Sequence, residues 1–569
     1  MKSASTGRGR PRPGGPRYGE TPDVWTRLSR DAWRRLAGGP LYHHTLMGPV
    51  PADLRLRLSE RWPGDPKRGA AILAGQIAFA GELNANPAPV WFPTGAGTAW
   101  LAAWHGFGWL ADVVDSGTAG RDPARALVQS WLRDNSRFHP VAWRSDVMAC
   151  RIFAWIVHFD EIVGRESDRS LRRAMLASIA RQVRHLTRVA TWELGGAARL
   201  QALKGLLAGL AVLGAAGPRL VRVAKVLERE LPVQILPDGG HRARNPSVQL
   251  SVLRDLIDIR AILRAAKVEV PGPLQQAIER MAPMLRFFRH GDLRLALFNN
   301  SVEEDGVIVD LALTRSETRG QAPAQAPHTG FQRLHAGQSL VLVDTGKPPP
   351  HGFDTEAHAG SLSFELSQGR ERIIVNCGGY RGARNAWRRV ARSTPAHSVL
   401  VVDDSSILEL RGDGAVARAP GAVRFERAED SGHQWIAGTH DGYRPRYGLI
   451  YARELYLSAD GDDLRGEDKL TGRSGTAFAI RFHLHPAVNT VLIDDGRNAL
   501  LRLPSGAVWR LRCAGAELTI ADSVYLGSGE MQNTRQIVLS GITGPGGATV
   551  RWAIRREPRA AGDVWRDNT

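Results

Sequence analysis

His358, in Glu356-Ala-His358-Ala-Gly360, and His397, in Arg392-Ser-Thr-Pro-Ala-His397, each stand immediately before a β-rich run. Such edge positions bring side chains from separate strands to one rim, where imidazole accepts a proton or binds zinc. A second cluster lies in Leu236-Pro-Asp-Gly-Gly-His-Arg-Ala-Arg-Asn-Pro-Ser247, a polar stretch between two helical runs. Its glycines permit tight turns, and His241, Arg242, Arg244 and Asn245 gather donors suited to a carboxylate, with Asn245 or Ser247 also placed to cap the next helix. The competing reading is a hydrogen-bonded structural role for each histidine and plain capping for the loop. His483 and His485 alternate around Leu484, a strand spacing compatible with a two-histidine metal site or a solvated face. Cys150, Cys377 and Cys513 are far apart with no CxxC spacing, so a disulfide framework or zinc-thiolate site is not expected and free, mostly buried thiols are. No P-loop, dinucleotide fingerprint or G-x-S-x-G elbow is present.

The elements that must position these residues fall into two classes. From about Thr21 to Ser316 apolar residues recur at three- and four-residue spacing, over Pro123–Leu132, Ser145–Phe159, Asp168–Thr187, Ala197–Leu213, Arg219–Glu230, Ser247–Ala266 and Pro273–Arg289. Strand-like alternation is nearly absent there. The tryptophans concentrate in this half and are expected in its core. After the Pro/Ala run Gln321–Pro327 the period drops to two. Ser339–Asp344, Ser361–Leu366, Arg372–Asn376, Ser398–Val402, Tyr451–Ser458, Phe478–Leu484, Val508–Cys513 and Arg535–Leu539 are short and β-rich, with turn residues between them. The expected organisation is a basic tail at 1–20, a helical domain at 21–316, a linker at 317–327 and an antiparallel β-sandwich at 328–569.

The chain has 569 residues, 43% of them hydrophobic and 23% charged, which excludes a single small module and bulk disorder. Lys+Arg 75 against Asp+Glu 57 gives +18, a surface that attracts polyanions without choosing among nucleic acid, anionic polysaccharide and acidic lipid. No aromatic-plus-basic recognition module is visible, so a specific nucleic-acid partner is not expected. The longest uncharged stretch, 205–218, is too short to cross a bilayer and reads as a buried helix; no signal-peptide core is visible in the first forty residues.

Four ordered segments, DGGHRARNPS, HAGSLSFELSQGRERIIVNCGGY, ARSTPAHSVLVVDD and ARELYLSADGDDLRGEDKL, resemble the heparinase II/III family of polysaccharide lyases and lyase-like proteins. The resemblance implies an α+β multidomain chain, an incomplete α/α toroid followed by an antiparallel β-sandwich, with the substrate cleft between them. It also implies β-elimination of uronic-acid polysaccharides, a carbon-oxygen lyase activity. That reaction needs a neutraliser at the uronate carboxylate, a base for the carbon-5 proton and an acid for the leaving oxygen. At the matching positions the chain departs from the family pattern. The toroid helix that opens with Asn and His in active lyases reads Trp192-Glu-Leu-Gly-Gly-Ala-Ala-Arg-Leu-Gln-Ala-Leu203, the catalytic Tyr position holds Val248, and Glu356 replaces the first His of a His-x-His-x-Asp motif. His358 and His397 match two zinc positions, but the third, normally Asp, is Asn376, a weaker neutral ligand.

Substitute groups are His241, His358 or Tyr380 for proton transfer and Arg199, Arg242, Arg244, Asn245 and Glu356 for substrate. No cofactor is expected beyond a doubtful zinc on His358 and His397. The expected partner is an acidic polysaccharide, and oligomeric state is open. Two functions follow: a lyase-like protein that binds and cleaves such a polymer, or a catalytically degenerate glycan-binding or envelope-biogenesis protein. The resemblance implies the periplasm or cell envelope, the visible N-terminus the cytoplasm.

Overall fold

In the helical half, the three- and four-residue apolar spacing winds into helices at Thr118–Asp134, Ser145–Val157, Arg169–Val189, Gly196–Val212, Gly217–Gln234, Pro246–Ala265 and Gly272–Phe287. A computed structural model describes residues 32–558, apart from 34, 40, 86–89, 136, 165–168 and 383; the expected tail at 1–20 lies outside the described residues. The Gly196–Val212 helix is the hub. It packs against the helices Ser145–Val157, Pro246–Ala265, Gly217–Gln234 and Arg169–Val189, and is apolar on nearly every face for that reason. Gly205 permits the close approach of the Ser145–Val157 helix, because a Cβ there would stand 2.5 Å from the Cα of Ala149. The tryptophans fill the interior: Trp91, Trp104 and Trp109 stack in series, at 4.9 and 4.6 Å between ring centroids. One element was not expected, a hairpin of Gln76–Phe79 against Glu82–Ala85. No helix among the described residues is long and apolar enough to cross a membrane.

The second half is two stacked antiparallel sheets. The nine-stranded sheet contains Phe331–Ala336, Ser339–Asp344, Phe364–Gln368, Glu371–Val375 and Ala477–Leu484, and the eight-stranded sheet contains Val423–Asp430, His433–His440, Leu449–Leu457, Asp463–Gly472, Val508–Ala514 and Gly546–Arg556. Gln325 and Ala326, inside the Pro/Ala run, form an edge strand of the first sheet rather than a plain linker.

Burial separates the two sheets. Ser339–Asp344 and Phe364–Gln368 are buried at every position because one face meets the second sheet and the other meets the helices. Leu449–Leu457 alternates buried and accessible, the signature of a sheet with one solvated face. Phe331, Leu340 and Leu342 belong to the helical domain's core, so the two halves share apolar contact.

All three cysteines are free thiols, Cys377 buried and the others half-buried. Burial pushes the Cys377 thiol up to about 12, so it stays protonated at neutral pH despite His483 Nδ1 at 3.5 Å.

Candidate functional site

The residues singled out by type converge on the junction between helices and sandwich. The 235–245 loop is closed at its base by a bridge between Ile235 and His241, and Gly240 lets it lie against the sandwich, where a Cβ would stand 1.8 Å from Thr329 Oγ1. Asp238 ties the same contact by accepting from the His328 and Thr329 amides and the Thr329 hydroxyl. Asn245 caps the following helix, its side chain accepting from the Ser247 and Val248 amides at 2.8 and 3.1 Å. Its amide donates to the Asn299 carbonyl across the junction. Val248 is half-buried in that first turn and brings no proton-transfer group.

His241 is 2% exposed. Its Nδ1 accepts from the Ala243 amide at 3.1 Å, so Nε2 carries the proton and donates to Gln234 Oε1 at 3.1 Å. Gln234 in turn donates to Glu230 and to the Gly196 carbonyl, and Glu230 takes Arg199 in a buried ion pair at 2.8 Å. The structure thus joins His241 to the Trp192–Leu203 stretch through a sealed polar relay. Burial pushes the His241 imidazole down to about 3, with the Arg242 charge adding to the effect.

Arg244 is bound still more completely. At 6% exposure it donates to the carbonyls of Thr329, Lys347 and Gly330 and pairs with Asp344 at 2.5 Å. It is a strut between the domains whose charge is already neutralised. Arg242 differs. It donates Nε to the Val233 carbonyl and, together with Arg244, His328 and Lys347, lines a groove of about 310 Å³ at the junction. No carboxylate occurs among the described residues lining that groove.

His358 and His397 meet edge-on, with His358 Nδ1 3.2 Å from His397 Nε2. His397 Nδ1 donates to the Ser393 carbonyl at 2.9 Å, which leaves Nε2 to accept from His358. Burial holds both imidazoles low, His397 at about 4 and His358 well below its usual range. Asn376 is engaged elsewhere: its carbonyl oxygen accepts from the Ser398 amide. Among the described residues no group of three His, Cys, Asp or Glu side chains could hold a metal. His397 Nε2 is occupied by His358 Nδ1 and the Asn376 amide by Ser398, while the buried His358 Nε2 has no hydrogen-bond partner among the described residues.

Tyr380 is half-buried against Trp387, ring centroids 6.3 Å apart, and Glu356 is exposed and accepts from Asn300. His483 and His485 do not share a ligand: His483 is buried against Ser523 and the Pro395 carbonyl, and His485 lies beside Glu303. Asn299 was missed by the sequence reading. Its side chain accepts from the His358 amide and donates to the Arg244 carbonyl, joining the two predicted clusters. Asn299 and Asn300 both adopt positive φ, 49° and 56°, so the Asn-Asn pair was the available turn signal.

The family model described as Heparinase II/III-like, C-terminal matches residues 318–553. FtsZ-localized protein C of Caulobacter vibrioides is 31% identical over 531 residues, spanning 89% of this chain and 91% of that protein. The crystal structure of heparinase III covers 93% of this chain and 89% of its own length at 12% identity, with a TM-score of 0.69. Heparan sulfate lyase HepC from Pedobacter heparinus covers 93% of this chain and 88% of its own length at 14% identity, with a TM-score of 0.56. The helical half is accordingly the toroid of that architecture, and the paired sheets are its sandwich.

Proposed function

The chain belongs to the heparinase II/III-like family, and from that premise we propose that it binds an acidic polysaccharide at the toroid–sandwich junction without cleaving it. The groove holding Arg242, His328 and Lys347 with no carboxylate among its described lining carries this reading. Guanidinium and ammonium groups lining one groove suit a chain of carboxylates; Asp238 and Asp344 stand behind the lining and are held by its Thr329 and Arg244 side chains, which leaves Arg242 and Lys347 without an acid partner in the groove.

The lack of cleavage is argued from the proton-transfer groups. Elimination needs a base that reaches carbon 5 and a cation at the uronate. His241 and His358 are 2% and 5% exposed, and Arg199 and Arg244 are each paired with a buried carboxylate. Tyr380 alone among the three proposed proton-transfer groups has partial access. Tyr380 is not among the described residues lining the groove of Arg242 and Lys347, so a base and a neutraliser do not share one site.

Affinity electrophoresis against heparan sulfate and polyglucuronate tests the site. Arg242→Ala and Lys347→Ala are each expected to weaken retention several-fold, and the double variant about tenfold or more, with the loss shrinking as salt rises. Unchanged retention of the double variant would remove the junction groove as the binding site. The relative's name associates that protein with FtsZ, and we extend the association to this chain: a fluorescent fusion is expected to coincide with FtsZ in the native host, and a uniform distribution would refute it.

A further inference from the structure

The outer face of the eight-stranded sheet, on the side of the sandwich away from the helices, carries a groove of about 740 Å³ that the junction site does not use. Strand register defines its two rows. One runs across the sheet as Ala428, Trp435, Tyr456, Arg465, Ala553 and Arg512, each directly opposite the next. The neighbouring row runs Glu426, Ala437, Glu454, Glu467, Arg551 and Ala514. Trp435 is 38% exposed, and its ring lies 5.2 Å from that of Tyr456, which carries the Arg465 guanidinium at 5.4 Å.

Two features of these rows cost the fold stability. Alanine is a poor strand residue, yet alanines form the floor at 428, 437, 514 and 553. Glu454 stands directly opposite Glu467, a like-charge cross-strand pair, and Glu454 has no ion-pair partner among the described residues. A ladder built only for stability would place β-branched residues and opposite charges there. Breaking both local rules beside an exposed aromatic pair is the pattern of a ligand site.

Charge decides the class of ligand. Five arginines and four carboxylates line the groove, so its net field is small. Arg465 and Arg555 share Asp463, Arg551 holds Glu467, and Arg427 is spent on the Ala324 and Arg333 carbonyls. A polyanion would gain little. Apolar ring faces beside unpaired Glu426 and Glu454 and an unpaired Arg512 offer stacking for the C–H face of a pyranose and acceptors and donors for its hydroxyls. We propose that this face is a second glycan site, specific for an uncharged hexopyranose oligomer and independent of the junction groove.

Isothermal titration of the full chain with chitohexaose and cellohexaose, and with a heparan sulfate oligosaccharide as the charged comparison, tests the assignment. At least one neutral oligomer is expected to bind, with affinity lowered about tenfold by Trp435→Ala. Ala553→Leu fills the floor without touching either ring and is expected to give a similar loss, while both variants keep the wild-type unfolding midpoint and heparan sulfate affinity. No neutral binding at millimolar sugar, neutral binding indifferent to both variants, or a Trp435-dependent response only to the charged oligomer would each overturn the proposal. Because the junction proposal is read from Arg242→Ala and Lys347→Ala, failure of one site is distinguishable from failure of the other.

Discussion

Replacing Arg244 by methionine should destabilise the domain junction while leaving polysaccharide affinity intact. The guanidinium is 6% exposed, donates to three backbone carbonyls and pairs with an Asp344 side chain that is 4% exposed. Its removal strands the Asp344 carboxylate with the Gly346 amide, at 3.0 Å, as its remaining hydrogen-bond donor. Removing one partner of a buried pair costs about 3–5 kcal/mol, chiefly the penalty for the uncompensated charge left behind. Arg244→Met/Asp344→Asn removes that charge and should recover about 1–3 kcal/mol, a coupling that a surface arginine would not show.

The single variant's deficit should also shrink in acid. Burial already raises the Asp344 carboxyl, and without Arg244 it rises further, so protonation below that raised pKa relieves the penalty. Urea unfolding of the full chain at pH 7 and pH 5, followed by tryptophan fluorescence and by circular dichroism, measures both effects. Arg244→Met with wild-type stability and lost heparan sulfate binding would refute the argument and make Arg244 a substrate ligand.

Other outcomes follow from the same geometry. His241 and His397 are buried neutral at about 3 and about 4, below the unfolded value near 6.5. Each therefore contributes stability that is full above pH 6.5 and is lost as pH falls toward the folded value, at about 1.4 kcal/mol per pH unit. Urea midpoints of His397→Gln should fall less steeply than wild type between pH 6.5 and 4.5; parallel slopes would contradict this. Saturating zinc should leave the unfolding midpoint unchanged, since among the described residues no third His, Cys, Asp or Glu joins the His358–His397 pair, and a rise abolished by His358→Ala would restore the metal site. Gly240→Ala should cost about 1–3 kcal/mol by driving a Cβ into Thr329, measured by the same urea curves, and a neutral effect would show that the loop is free to move.

The architecture was legible because burial pattern is written in period. The largely apolar Gly196–Val212 hub and the alternating Leu449–Leu457 strand could be read without coordinates, and the helix cap could be narrowed to Asn245 or Ser247. The Gln76–Ala85 hairpin was not, since its four-residue strands are too short to show a period and sit among helices. Residue type also misled at the site: a histidine and an arginine suited to chemistry are equally suited to a buried relay or strut, and only three-dimensional partners such as Gln234 for His241 and Asp344 for Arg244 distinguish the roles. Arg242, one residue from the sealed His241, differs from it by which side of the loop it occupies. Sequence spacing alone does not encode that difference where backbone turns are irregular.

On this reading the protein binds a uronic-acid polymer without eliminating it. Purified protein incubated at length with heparan sulfate, hyaluronan, alginate and polyglucuronate, with the ultraviolet absorbance of unsaturated uronate followed alongside retention of each polymer, tests it most directly. The account predicts a flat absorbance trace with at least one polymer retained through Arg242 and Lys347. A rise proportional to protein concentration and abolished by Tyr380→Phe or His241→Ala would contradict it.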